Sequence, residues 1–283
     1  MTPKGNPSTL VTISERQLAV FAAAHDKLGS AVSPRYLAGP GDPRHITHAL
    51  RAAGWTNTSD PLHPAITMTS PDHGHHLDLD PARRHYGWKI STEFVPGYWS
   101  ATFSITTPVE VVAGLTDALI RPAPDEAVPT VVEILTAHGW AHTTDHTGTQ
   151  TLTSPDGIVQ AERSVSPFLG VRGWEFEAAR HHGEYGPEGL LWRAYFDKDT
   201  PAHLLASVTD AVSTPAPILR SRYAINESTH LAVGPEFAIG TEVLAAHKVR
   251  LAQARRCRPR PAPPSVRTAA PAPPGRTPAR PSR

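Results

Sequence analysis

Residues 50–55 read Leu-Arg-Ala-Ala-Gly-Trp, and residues 135–140 read Leu-Thr-Ala-His-Gly-Trp. Each is a helix-forming run that stops at a glycine followed by a tryptophan. A glycine just past a helix adopts the left-handed conformation that closes it, and an apolar residue after it folds back on the last turn. Both stretches are therefore read as helix ends. The residues downstream of the two ends are also alike: Thr-Ser-Pro-Asp at 69–72 and 153–156, and Gly-Trp at 87–88 and 173–174. Next come a tryptophan four residues before a phenylalanine (Trp99/Phe103 and Trp192/Phe196), Thr-Pro at 107–108 and 200–201, and Thr-Asp-Ala at 116–118 and 209–211. All six tryptophans fall into this pattern. The chain is an internal duplication with a period of about 85–93 residues, which sets its architecture.

Upstream of the first helix end, Asp42 is placed as N-cap with Pro43 at the first helical position, and Ile46, Ala49, Leu50 and Ala53 form an apolar stripe. The second copy has Pro129 near its start and Val131, Val132 and Leu135 on its face. Downstream, the pattern changes to period two. Ile66-Thr-Met68-Thr stops at the Ser70-Pro71-Asp72 turn, and His76 to Asp80 alternates again. Trp88, Ile90 and Phe94 oppose Lys89, Ser91 and Glu93, while Trp99, Ala101, Phe103 and Ile105 share a face. In the second copy Trp174 and Phe176 oppose Glu175 and Glu177, and Trp192, Ala194 and Phe196 oppose Arg193 and Asp197. Such alternation predicts antiparallel strands with one face covered. Trp88, Trp99, Trp174 and Trp192 are expected in the core, with Trp55 and Trp140 packing at helix ends.

A closing helix supplies the cover. Thr107-Pro108-Val109-Glu110 has the form of a capping box, whereas the copy from Thr200 has His203 in place of the glutamate and predicts a weaker cap. Outside the repeats, Ser14 caps a first helix carrying Leu18, Phe21 and Ala22, which Gly29 is expected to end. A second helix is predicted from Glu236 or Thr241 to Arg256. The expected fold is α+β, with an N-terminal segment (1–31), two homologous units (32–122 and 123–214), a connecting segment with a helix (215–257) and a disordered Pro/Arg-rich tail (258–283). Each unit is an antiparallel sheet of three to four strands flanked by helices.

The stretch Val32-Ser-Pro-Arg-Tyr-Leu-Ala-Gly-Pro-Gly-Asp42, then Leu50 to Trp55, Thr-Ser-Pro-Asp, Trp-Lys-Ile, Trp-x-Ala-x-Phe and Thr-Pro-x-Glu-x-Val resemble the domain-of-unknown-function 317 family. The resemblance covers roughly residues 32–213. It implies tandem copies and a Streptomyces-type, actinobacterial source. The family brings no activity, cofactor or catalytic residue to transfer.

The net charge of +1 conceals a segregation: residues 248–283 hold ten Lys/Arg and no carboxylate, leaving the body at −9. A proline-spaced cationic segment can bind a polyanion by counterion release, so Lys248, Arg250, Arg255, Arg256, Arg258 and Arg260 are candidate nucleic-acid contacts. A solubilising linker and a proline-rich ligand for a partner domain are the alternatives for the same segment. One cysteine, Cys257, leaves no intrachain disulfide and no Cys-rich zinc site. No stretch resembles a signal peptide or a membrane span, which predicts a cytoplasmic, soluble protein without membrane contact.

His73, His75, His76, Asp78 and Asp80 are the one dense group of metal-ligating types, weighed against a plain solvated turn and strand; the second copy has no histidine there. The Ser-Pro-Asp turns lack the histidine base and oxyanion hole of a hydrolase, and no phosphate-binding glycine loop occurs. No cofactor is expected. The sequence thus favours a non-enzymatic binding or scaffolding protein, with the tandem units contacting a protein partner and the tail contacting nucleic acid. An enzyme or metal-binding protein using the His73–Asp80 group is the alternative, and a purely structural duplication a third.

Overall fold

The computed structural model describes residues 13–93, 97–166, 168, 170–183, 186–225 and 230–258. Helix α1 (Glu15–His25) starts at a capping box formed by Ser14 and Gln17, and only its Phe21 is fully buried. It ends at His25, short of Gly29. That glycine instead lies inside strand β1 (Leu28–Ser33), where the carbonyl of Arg220 leaves no room for a side chain. The expected helix end at Gly29 is therefore corrected: close strand pairing, not helix termination, requires the glycine there.

Helix α2 (Arg44–Ala52) follows with Pro43, not Asp42, at its N-cap, and Asp42, one residue further out, accepts from Arg44 N–H at 2.8 Å. At its end Gly54 sits at φ +100°, Gly54 N–H donates to Arg51 O and Trp55 N–H to Leu50 O. Strands β2 (Thr56–Asn57), β3 (Ile66–Thr69), β4 (His75–Leu79), β5 (Trp88–Thr92) and β6 (Ser100–Phe103) lead to helix α3 (Val109–Leu119). The second copy repeats the order: α4 (Val131–Ala137), β7 (Ala141–Thr144), β8 (Gln150–Thr153), β9 (Val159–Ser166), β10 (Gly170–Gly183), β11 (Gly186–Phe196) and α5 (Ala202–Ser213). Gly139, at φ +79°, and Trp140 N–H to Leu135 O reproduce the first helix end bond for bond. Each unit also gains a short edge strand, β2 or β7, straight after that closure.

The ten strands form one antiparallel sheet in the order β2-β3-β4-β5-β6-β11-β10-β9-β8-β7. Its centre is the β6–β11 pair, where Ala194 faces Phe103, Tyr195 faces Thr102 and Phe196 faces Ala101. Thr102 and Tyr195 each lie three residues past their tryptophan, so they are counterparts that pair with each other. The register is that of a pseudo-twofold axis through this pair. In the helix layer the axis passes between α3 and α5. Gly114 and its counterpart Ser207 meet there, so closely that a Cβ on Gly114 would lie 2.7 Å from Ser207 O.

Trp88, Phe103, Phe176, Trp192 and Phe196 are almost fully enclosed beneath the helices, and the ring pairs Phe103–Phe196 and Phe176–Phe196 meet edge to face. Burying such side chains contributes about 1.5–3 kcal/mol each. All six tryptophans are buried, as the strand phase and the helix ends predict. Phe94 lies outside the described residues.

The capping box at Thr107 does not form. The first helical residue is Val109, Thr107 Oγ1 is buried without a partner, and Glu110 reaches away to Arg220. Thr200 Oγ1 is equally unpartnered at the start of α5, so the predicted contrast between the two caps is absent. A proline next to each threonine sets the entry angle instead, at φ −54° in both copies. The side-chain cap lies at α4, where Thr130 and Glu133 form a full capping box.

The flanks form a second, four-stranded sheet. Strand β1 pairs with β12 (Ile218–Ser221) and with β13 (Ala232–Val233) and β14 (Phe237–Ala238). Helix α6 (Gly240–Arg256) then packs on α1 and α2. Of the predicted disordered tail (258–283), Arg258 is described just past α6, and residues 259–283 lie outside the described residues.

Candidate functional site

Because helices cover one face of the ten-stranded sheet, the other carries the polar side chains of the strands. Successive register partners draw one row across it: Thr67, Asp78, Lys89, Thr102, Tyr195, Glu175, Glu162, Thr151 and Thr143, one residue from each strand from β3 to β7. Both copies thus build one surface. Its charge is uneven. Glu162 and Glu175 face each other across β9 and β10, Glu177 lies two residues along, and Arg193 bridges Glu175 (3.0 Å) and Glu177. Burial, and then the Glu177 charge, push the Glu162 and Glu175 carboxyls above the usual carboxylate range. A phosphate backbone is repelled by such a patch, and a cationic surface is attracted.

The metal candidates sit on and beside β4, and strand alternation splits them between two faces. His75 turns inward beside the Trp99 ring. On the outer face His76 Nδ1 lies 3.3 Å from Thr69 Oγ1 and its Nε2 lies 3.3 Å from Glu93, while Asp78 accepts from Thr67. Asp80 pairs with Arg83, and His73 is exposed at the turn. Among the described residues no three such side chains converge on one point.

The Ser-Pro-Asp turns are built alike. Ser70 Oγ donates to Asp72, and the N–H groups of Gly74 and His75 donate to Asp72 and Ser70; Ser154, Asp156, Ile158 and Val159 repeat all three bonds. The serines are committed to their turns. Asp156 carries one bond more, from the Tyr36 hydroxyl at 2.7 Å, which ties the N-terminal segment to the second copy.

The helix side holds two cavities separated by His45 and Glu110. The first, of about 730 Å³, lies between α1, α6 and β12, with Phe21, Ile218, Tyr223 and Val243 as apolar wall. At its floor Arg220 grips Glu110 with both terminal nitrogens and donates to the carbonyls of Ala38 and Gly39. Burial raises the Glu110 carboxyl, yet the Arg220 charge prevails and holds it at about 2. Beside it His48 Nδ1 lies 3.1 Å from His247 Nε2, and Phe21 stacks on His247 at 3.9 Å. Burial, aided by neighbouring cations, lowers His45 to about 3 and His48 and His247 to about 4, so all three are neutral at pH 7. The second cavity, of about 660 Å³, lies astride the pseudo-twofold axis. It is lined by Asp117 of α3, Arg121 just past that helix, Asp210 of α5, Arg250 of α6, and Arg35.

The repeated turns, strands and closing helices coincide with a family match. The family described as SPDY, domain of unknown function (DUF317), matches residues 69–125 and 153–218. The two matched segments are consistent with two tandem copies of that domain. No curated protein and no solved structure matches the chain. The matched segments start at the Ser-Pro-Asp turns, so they include most of the sheet and both closing helices but neither α2 nor α6.

Outside the DUF317 segments, the candidate nucleic-acid residues divide. Lys248, Arg250, Arg255 and Arg256 belong to α6 rather than to a tail, and Arg258 lies just past it against Gly54. Arg250 turns inward, 12 % exposed, to Asp117 and to the carbonyl of His45. It is thereby removed from the external contacts expected of it. Lys248, Arg255, Arg256 and Arg258 are exposed, and Arg260 lies outside the described residues. Sequence reading missed Arg35, His45, His48, Glu110, Arg220 and His247. The only local signal was spacing: His45 and His48, like His247 and Arg250, sit three apart on one helix face.

Proposed function

We propose that the protein is a non-enzymatic binding or scaffolding protein, in which both DUF317 units present their joint sheet face to a protein partner with a basic surface. The C-terminal cations, exposed Lys248, Arg255, Arg256 and Arg258 together with those that follow in the sequence, contact nucleic acid. The observation that carries this reading is the uncovered face itself: one register row crosses both copies, and its charge concentrates at Glu162, Glu175 and Glu177. Interfaces of opposite potential steer and select partners. The same charge keeps nucleic acid off the sheet and leaves it to the C-terminal cations.

Co-purification of the full chain from its native source, beside a Glu162→Lys/Glu175→Lys variant, tests the face. A stoichiometric partner of high isoelectric point should be retained by the wild type and released by the variant; equal retention sinks the idea. Truncation after Arg258 should weaken salt-sensitive retention on immobilised nucleic acid. An unchanged salt slope would remove the nucleic-acid half of the reading.

A further inference from the structure

We infer that the cavity astride the pseudo-twofold axis is a binding site for a small organic oxyanion, a carboxylate or phosphate carried on a partly apolar body. This goes beyond the sheet-face reading and is independent of it. The volume of about 660 Å³ lies within the range of small-molecule sites, and Ala113, Ala118, Val128 and Ile134 supply apolar wall.

The charges decide the class of ligand. Two of the lining carboxylates are already matched: Glu110 is held by Arg220 from the far side, and Asp117 by Arg250. Of the other lining charges, Arg35 lies in the field of Glu110 and Asp210, and Arg121 in that of Asp117. His45 and His203 add no charge at pH 7, since burial lowers both. With Arg220 counted behind Glu110, four guanidinium groups meet three carboxylates, an excess of one positive charge around the cavity.

Two donors show the consequence directly. Arg35 Nε and Arg250 Nη2 are both buried without a hydrogen-bond partner. A buried guanidinium N–H with no acceptor is costly, and native structures satisfy nearly all such groups. An oxyanion accepts two parallel N–H bonds from a guanidinium, which water does less well.

The duplication sharpens the assignment. Under the pseudo-twofold relation Asp117 corresponds to Asp210 and Glu110 to His203, so the second copy contributes one carboxylate fewer. The two partly unsatisfied arginines come from neither repeat helix. Arg35 lies in the turn before α2, and Arg250 in α6. Residues outside the two paired helices thus bring cations to a crevice to which α3 and α5 contribute Glu110, Asp117 and Asp210.

The test is thermal unfolding of the full chain at constant ionic strength with three probes: inorganic phosphate, octanoate, and hexylamine as a cation of similar apolar length. Phosphate or octanoate should raise the melting temperature in a saturable way, and which of them does so identifies the head group. Hexylamine should not. Arg35→Gln, which breaks no bond seen in the structure, should weaken the binding about tenfold or more. Arg250→Gln combined with Asp117→Asn should do the same without stranding a buried carboxylate. Circular dichroism confirms that each variant folds, and Arg35→Lys provides a variant that retains the charge and should bind with intermediate strength. No shift with either anion, equal shifts with hexylamine, or equal anion binding by wild type and the two neutralised variants would overturn the assignment.

Discussion

In the first unit six side chains of α2 are buried, Glu110 of α3 finds Arg220, and the helix is overlaid by α1 and α6. In the second unit Val131 and Leu135 of α4 are the buried ones, and His203 stands where Glu110 would be. The Ser-Pro-Asp turns and the helix ends are nevertheless alike to the hydrogen bond. The difference teaches that the duplication built the sheet and the chain termini then specialised one half. Arg220, His247 and Arg250, all from the C-terminal flank, place their paired polar side chains against the first half.

The strongest way to break that comparison is acid. His45, His48 and His247 are buried neutral, their folded pKa values lying below the ordinary 6.5. Arg44, Arg51 and Arg250 disfavour their protonation, and Asp42, His25 and Glu110 complete the charged surroundings. The unfolded flank binds protons that the folded flank does not, so stability is full above pH 6.5 and falls as pH drops towards about 4. Each histidine costs about 1.4 kcal/mol per pH unit in that window. Hydrogen exchange at pH 7 and pH 5 should show α1 and α6 opening well before the β6–β11 centre. His247→Phe, which keeps a ring against Phe21, should flatten the slope. Uniform loss across both halves would mean that the flank is not a separate acid-sensitive layer.

A smaller effect probes the axis that joins the halves. Gly114→Ala places a methyl 2.7 Å from Ser207 O and 2.8 Å from the Ala211 side chain. Overpacking of this kind costs about 1–3 kcal/mol, more than the about 0.5–1 kcal/mol that alanine gains in a helix. Its counterpart Ser207→Ala should be nearly neutral. Urea unfolding of the two variants separates them. Equal stabilities would place the close contact elsewhere than between α3 and α5.

Range along the chain decides how much was legible in the sequence. Helix ends, turn serines and strand faces depend on residues a few places apart, so Gly54, Gly139, Ser70, Ser154 and all six tryptophans could be placed from local pattern alone. The joining of the sheets could not, because Thr102 and Tyr195 show nothing locally that says they pair. Strand β1 was hidden for the same reason. Leu28-Gly-Ser-Ala alternates weakly, and its partners start at Ile218. The capping box at Thr107 is the instructive failure. The motif was present, but Glu110 gains more from a buried guanidinium than from its own helix N-terminus, and no pattern within α3 announces Arg220. Counting histidines drew attention to 73–76, where alternation scatters them, and away from His45, His48 and His247, which only folding brings together.

The subtlest difference between the copies lies in the turn after Ser-Pro-Asp. His73 stands at φ 60°, and its counterpart Gly157 at φ 74°. The left-handed region costs a residue with a Cβ roughly 1–2 kcal/mol, whereas glycine enters it freely at some loss of chain entropy. His73→Gly should therefore stabilise the first unit by about 0.5–1 kcal/mol, and Gly157→His should destabilise the second by about 1 kcal/mol or somewhat more. Paired urea titrations read both. Because His73 is exposed, a stabilised His73→Gly protein with unchanged metal content by atomic absorption marks the histidine as drift between two copies of one turn. Loss of a bound ion on the same substitution would instead mean that the strained backbone is maintained for a ligand, and that the first copy's turn had acquired a function its twin lacks.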